Sequence, residues 1–186
     1  KKMAKIFFSL QLWGAKTSIA VMNMLAEQAE ANIVRAISDA DLPDAVSESE
    51  YDDYHEDDEG NIYRYTVPYF TCGSCSGLDA DEVKSEYKHL ISQLTRRSAF
   101  LTMFGLFEHR MVECLDVMDR LSGEVTDKRF KTVEDCHKRL IGTIGGKGIK
   151  DIDHLAAIRN IMAHNDGVAE NYHNLLKLNE KKSEQQ

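Results

Sequence analysis

Apolar residues in this chain recur at helical spacing over two long stretches, and a different pattern separates them. Residues 4 to 38 place Ile19, Met22, Leu25 or Ala26, Ala29, Ile33 and Ile37 on one side of a helix. The stretch before that stripe, Ile6 to Trp13, is apolar on several sides. It is therefore either deeply buried or packed against another subunit. Leu42-Pro43 ends the helix, because proline disfavours helical geometry in the residue before it and has no amide to donate. From Asp79 to Leu121 the period returns with Val83, Tyr87, Leu90, Ile91, Leu94, Leu101, Phe104, Met111, Leu115 and Met118. A continuous helix there would span roughly 60 Å, so a bend near Thr95 to Ser98 is expected.

Between the helices, Ile62 to Phe70 is rich in aromatic and β-branched residues and bounded by turn signals. It reads as a short strand, with Tyr51 to His55 as its candidate hairpin partner and Pro68 confining it to an edge or a strand end. Further on, Phe130 to Ile141 reads as a short helix and Gly142 to Gly148 as a glycine-rich loop. That loop lacks the Gly-Lys-Ser/Thr ending of a phosphate-binding loop, which argues against ATP. Asp151 to His164 and Val168 to Leu178 read as two more helices. The expected architecture is all-α: one helical domain over residues 1–186, with an insertion over 39–77 and a polar tail over 181–186.

Charge divides along the chain. The formal net charge is −8, but 11 of the 31 acidic residues fall between Asp39 and Gly60, a tract with no Lys or Arg. The remaining 20 acidic residues face 23 basic ones, so the rest of the chain is mildly basic. Arg96-Arg97, His109-Arg110, Lys128-Arg129-Lys131 and His137-Lys138-Arg139 are candidate phosphate-facing groups, with solvated helix faces as the alternative. For the acidic tract and its interleaved tyrosines, a solvated and partly disordered loop competes with a nucleic-acid mimic or a surface for a basic partner.

The chain shows no secretory signal and no apolar run near the roughly 20 residues of a membrane span, which points to the cytoplasm and to reduced thiols. Of its four cysteines, Cys72 and Cys75 have the spacing of half a zinc site. Tetrahedral zinc needs four ligands and no second such pair follows, so these two are weak metal candidates beside a plain glycine-rich loop. No cofactor is expected.

The candidate chemistry lies in Arg159-Asn160-Ile161-Met162-Ala163-His164, at the end of an apolar-periodic helix and followed by Asn165-Asp166-Gly167. A guanidinium fork can hold phosphodiester oxygens, and an imidazole near neutrality can move the proton of an attacking hydroxyl. Residues five apart on an ideal helix diverge by about 140°, so Arg159 and His164 converge only if the chain leaves helical geometry after His164. Glu108 falls on or beside the core-facing stripe of its helix. A carboxylate there requires a cation or a donor, and Arg159 is the candidate.

The segment Ile158 to Gly167, preceded by a long helix containing Leu106-Phe107-Glu108, resembles the HEPN (higher eukaryotes and prokaryotes nucleotide-binding) superfamily, whose signature is Arg, a polar residue, three variable residues and His. The similarity covers mainly residues 78 to 180. It implies an all-helical bundle, a homodimer with motif helices facing each other across the twofold, and metal-independent endoribonuclease activity of the toxin or phage-defence type. In that reading His164 is the general base or acid, Arg159 stabilises phosphorane-like charge, Asn160 bonds phosphate or fixes the His tautomer, and Glu108 orients Arg159. RNA is the implied substrate and an antitoxin or regulatory protein an implied partner. Asp166 departs from the Tyr carried there by toxins that a nucleotidyltransferase antitoxin modifies. The alternative is a non-catalytic helical module that dimerises or docks a partner.

Overall fold

A computed structural model describes residues 2–123, 132–144, 148 and 151–164. Among the described residues one helix precedes a three-stranded antiparallel sheet and three helices follow it: α1 (Lys2–Ala40), β1 (Ser47–Glu56), β2 (Ile62–Cys72), β3 (Cys75–Gly77), α2 (Ala80–Ser122), α3 (Val133–Ile144) and α4 (Ile152–His164). The all-α expectation is thus corrected: the fold is mixed, though mostly helical, because the 39–77 insertion builds a sheet with strand order β1-β2-β3. The expected helix at Val168 to Leu178 and the 181–186 tail lie outside the described residues.

The acidic tract is a strand because its polar groups find partners across the ladder. β1 pairs with β2 over ten positions from Ser47 opposite Thr71 to Glu56 opposite Ile62. Asp52 forms an ion pair with Arg64, and Asp53 Oδ2 accepts from the Tyr65 hydroxyl at 2.9 Å. The connecting turn is held by Asp57, whose Oδ1 accepts from the amides of Glu59 (3.0 Å) and Asn61 (2.9 Å). Those bonds, chiefly the one from the Asn61 amide, hold the Asp57 carboxyl below the usual carboxylate range. Gly60 supplies the positive φ of 82° that the turn needs. At the other end of β2, Cys72 stands opposite Cys75 across the two-residue turn Gly73-Ser74. Gly73 has φ 57°, and a Cβ on it would lie 2.3 Å from the Tyr87 ring.

Helix ends follow capping chemistry. Asp79 caps α2, its Oδ1 accepting from the amides of Asp81 and Glu82 at 2.9 Å, and Asp81 and Glu82 place negative charge in the first turn. Thr132 caps α3 through its hydroxyl, which accepts from the Asp135 amide at 3.2 Å. Helix α2 runs without interruption through Thr95–Ser98, and α3 continues through Gly142 to Ile144, where the sequence suggested a loop.

The chain divides into two compact units, Lys1–Leu25 with Ala99–Gln186, and Ala26–Ser98. In the first, Phe104, Met111 and Leu115 of α2 meet Val133 and Cys136 of α3 and Ile152 and Ala156 of α4 in one core. In the second, Ala40, Cys72, Cys75 and Val83 form a smaller core, with Val46, Phe70 and Tyr87 at its margin. Among the α1 residues whose burial is described, Ser18, Ala29, Ile33 and Ala40 are buried. Leu10 and Trp13 are 60% and 68% exposed, so the deep-burial alternative for the chain's apolar start does not hold for these two. Ile19, also expected inward, is exposed too.

Candidate functional site

Helix α4 carries the motif. Its N-terminus is anchored by Ile152 and Ala156, which are buried, while Leu155 and Ile158 are about two-fifths exposed. Arg159 leaves the helix toward α2. Its Nη2 donates to both Glu108 oxygens, at 3.2 and 3.1 Å, and the guanidinium carbon lies 5.5 Å from the centre of the Phe104 ring. The expected pairing of Arg159 with Glu108 is therefore present, with a third of the arginine side chain and a fifth of the glutamate exposed. Phe104 was not expected to take part. It sits one turn before Glu108 on the same α2 stripe, so the cation meets a carboxylate and a π face side by side.

The second arm of the fork is occupied as well. Arg159 Nη1 donates to Asn160 Oδ1 at 2.8 Å. Asn160 thus holds the guanidinium, a role the sequence reading did not give it. Its position has a further consequence: Asn160 and His164 are four residues apart, hence neighbours on one face of α4, and both are exposed. Arg159 itself points about 140° away from His164 on the helix, because α4 stays helical through His164. Asn160 Oδ1 is the contact that ties the guanidinium to that face. The helix exit at Asn165 to Gly167, where convergence was expected, lies outside the described residues.

Of the other candidate phosphate-facing groups, Arg96, His109, Arg110 and Arg139 stand in ion-pair contact with carboxylates. Arg96 forks Glu30 with two bonds of 2.8 Å. Arg110 bonds Ser18 at 2.7 Å and pairs with Glu113, which His109 Nε2 also approaches at 3.2 Å. Arg139 reaches Asp119 at 2.9 Å. Lys128, Arg129 and Lys131 lie outside the described residues. These contacts favour a structural role for the basic pairs over a continuous anion-binding patch.

Cys72 and Cys75 are free thiols, 2% and 6% exposed, closed in among Ala40 and Val83. Burial pushes the Cys75 thiol up. Among the described residues no group of three or more His, Cys, Asp or Glu is placed to hold a metal, so the half-site finds no third ligand there. No helix among them is long and apolar enough to cross a membrane. Comparison with protein-family models, with curated proteins and with solved structures finds no match for this chain.

Proposed function

We propose that the chain is a metal-independent endoribonuclease of the HEPN kind, acting in the cytoplasm as a homodimer. The observation that carries this reading is the α4 arrangement: a partly exposed guanidinium oriented by Glu108 and Asn160, with Asn160 itself one helical turn before an exposed histidine at the helix end. His164 takes the proton of a ribose 2′-hydroxyl as that oxygen attacks the adjacent phosphorus. Charge growing on the phosphoryl oxygens is met by Arg159, whose orientation is set before the substrate arrives. The bond from phosphorus to the 5′ oxygen breaks as the new one forms, the leaving oxygen takes a proton from water, and the products are a 2′,3′-cyclic phosphate and a 5′-hydroxyl. Because Arg159 and His164 diverge on a single helix, the cleft is completed by a second α4 that offers its own pair. Control by an antitoxin or another regulatory protein belongs to the same reading.

The experiment is incubation of purified protein with total RNA in EDTA, beside Arg159→Ala and His164→Ala. Cleavage by the wild type, lost in both variants with the folded state retained, supports the enzyme. A wild type that cuts nothing sinks it.

A second reading, a non-catalytic helical module, is favoured by a specific contact. With Glu108 on one arm, Asn160 on the other and Phe104 against its face, Arg159 has the contacts of an anchor between α2 and α4. Under this reading Arg159→Ala destabilises the fold, while His164→Ala changes nothing measurable.

A further inference from the structure

Strand β1 forms one edge of the sheet, since the strand order is β1-β2-β3 and no further strand lies beside it among the described residues. It carries none of the usual protections of an edge: ten residues run without Gly, Pro or Lys, and every one is in register with β2, so no bulge blunts it. Which backbone groups face outward follows from the turn. The Asp57 amide donates to the Asn61 carbonyl at 3.0 Å, and bonded and non-bonded pairs alternate along an antiparallel ladder. The amides and carbonyls of Glu48, Glu50, Asp52, Tyr54 and Glu56 therefore point away from β2. Pro68, opposite Glu50 and with no amide to give, fits that phase.

Residues opposite each other in the ladder share a face, and the two faces of the hairpin differ. One carries Tyr51, Tyr63, Tyr65 and Tyr69; the other carries Glu48, Glu50, Asp52 and Glu56. Tyr51, Tyr63 and Tyr65 are each more than two-fifths exposed. Arg64, the one Lys or Arg of the three strands, is taken by Asp52, and Glu48, Glu50 and Glu56 have no ion-pair partner among the described residues. Strand β3 reaches only Phe70 to Cys72 of β2, so from Ser49 to Glu56 the described sheet is two strands wide. A ribbon of that width is marginal in water, and a further strand stabilises it.

We infer that the outer edge of β1 is a docking site for an extended, Lys/Arg-rich segment of a partner protein, which joins the sheet as an added strand. Charge complementarity selects that occupant. Carboxylates and tyrosine rings both attract cations, one by charge and the other through the π face, so the two sides of the hairpin favour the same partner. A second copy's β1 would bring five more carboxylates to the edge, and a nucleic-acid strand would bring phosphates. A strand with cations at alternate positions sets them beside Glu48, Glu50, Asp52 and Glu56, while its backbone meets the outward amides and carbonyls of those same residues. All three strands lie within the unit Ala26–Ser98. The inference uses no residue of α4 and does not depend on the ribonuclease reading.

The probe is a labelled peptide of alternating Lys and Thr, about ten residues long with blocked ends, titrated with the full chain and read by fluorescence anisotropy. A dissociation constant of roughly 10–100 μM is expected in low salt, rising at least about fivefold at about 0.3 M salt. Glu50→Lys combined with Glu56→Lys, both at exposed positions, should weaken binding at least about tenfold with the circular dichroism spectrum unchanged. Strand addition is separated from charge by N-methylating alternate amides of the peptide, which removes donors and keeps every cation. The set turned toward β1 should abolish binding, and the other set should change it by less than about twofold. Bound peptide should also slow hydrogen exchange at the amides of Glu48, Glu50 and Asp52. No binding at about 1 mM overturns the inference, as does equal binding of an alternating Glu and Thr peptide or indifference to the two lysine substitutions. Binding that survives both N-methylated sets overturns strand addition. Slowed exchange of those amides on adding a short single-stranded RNA, or on concentrating the protein alone, names another occupant and overturns the basic partner.

Discussion

The two cores of this molecule are built by different means. One, around Leu115, joins three helices whose apolar residues come from α2, α3 and α4, and it is sealed by side chains of ordinary size. The other gathers Ala40, Val83 and two cysteines around the base of a hairpin, where little apolar volume is available and backbone geometry does more of the specifying. The first should be sensitive to lost volume. The second should be sensitive to changes in its turn.

Leu115→Ala gives the largest effect. Leu115 is 1% exposed, and truncating a leucine so placed costs about 3 kcal/mol or more through lost transfer energy and the cavity left behind. Val83→Ala, equally buried in the smaller core, removes two methyl groups and costs about 2 kcal/mol. Equilibrium urea unfolding of the two variants checks both values, and a reversed order would deny that the three-helix core dominates. Gly73→Ala probes the turn instead. A left-handed backbone costs a non-glycine residue about 1–2 kcal/mol, and the new Cβ would also press 2.3 Å from the Tyr87 ring. A total of about 2–3 kcal/mol is expected from one methyl group, which would rank a turn glycine with a core valine.

The cysteines extend the comparison into pH. Burial pushes the Cys136 thiol of the three-helix core up to about 11, from an ordinary value near 9. Below pH 9 both folded and unfolded forms hold the proton, and the stabilising preference for the thiol is intact. Between about 9 and 11 the unfolded chain loses its proton first, so stability falls through that window by on the order of 2 kcal/mol. Cys136→Val should flatten that part of the profile of unfolding midpoint against pH. An unchanged slope would show that Cys136 is not its source.

Much of this organisation is written in hydrophobic period. The helix end at Pro43, the strand at Ile62 to Phe70, the Arg159–Glu108 pair and most of the stripes on α1 and α2 follow from spacing and from the cost of an unpaired carboxylate near a core, while Ile19, Leu90 and Leu94 of those stripes are exposed. The sheet as a whole was less legible, because whether an acidic tract pairs depends on cross-strand partners a dozen residues away. Asp52 and Asp53 look like solvated charge until Arg64 and Tyr65 stand opposite them. Period also cannot say which apolar positions are finally covered: Ile19 was placed on the inward stripe, Trp13 was left between deep burial and a subunit contact, and both are exposed. In the candidate site, Phe104 could have been found from its place one turn before Glu108, whereas Asn160 turning back on Arg159 depends on rotamers that no spacing encodes.

The two arginine–glutamate forks offer the finest discrimination between the units, since each joins two helices through two hydrogen bonds. Arg159 and Glu108 are the more enclosed, at 33% and 21% exposure. Glu108→Ala leaves a half-desolvated guanidinium with Asn160 and the Phe104 ring as its remaining partners, and about 1–2 kcal/mol of stability should be lost. Arg96 and Glu30 have the shorter bonds, 2.8 Å on both arms, but each side chain is more than half exposed. Water and salt compete for both groups there, and two long side chains must be held still, so ideal geometry brings little net gain. Arg96→Ala should accordingly leave the unfolding midpoint within experimental scatter, in low salt and high salt alike. A loss as large as that of Glu108→Ala would mean that bond geometry, and not enclosure, decides the strength of these forks.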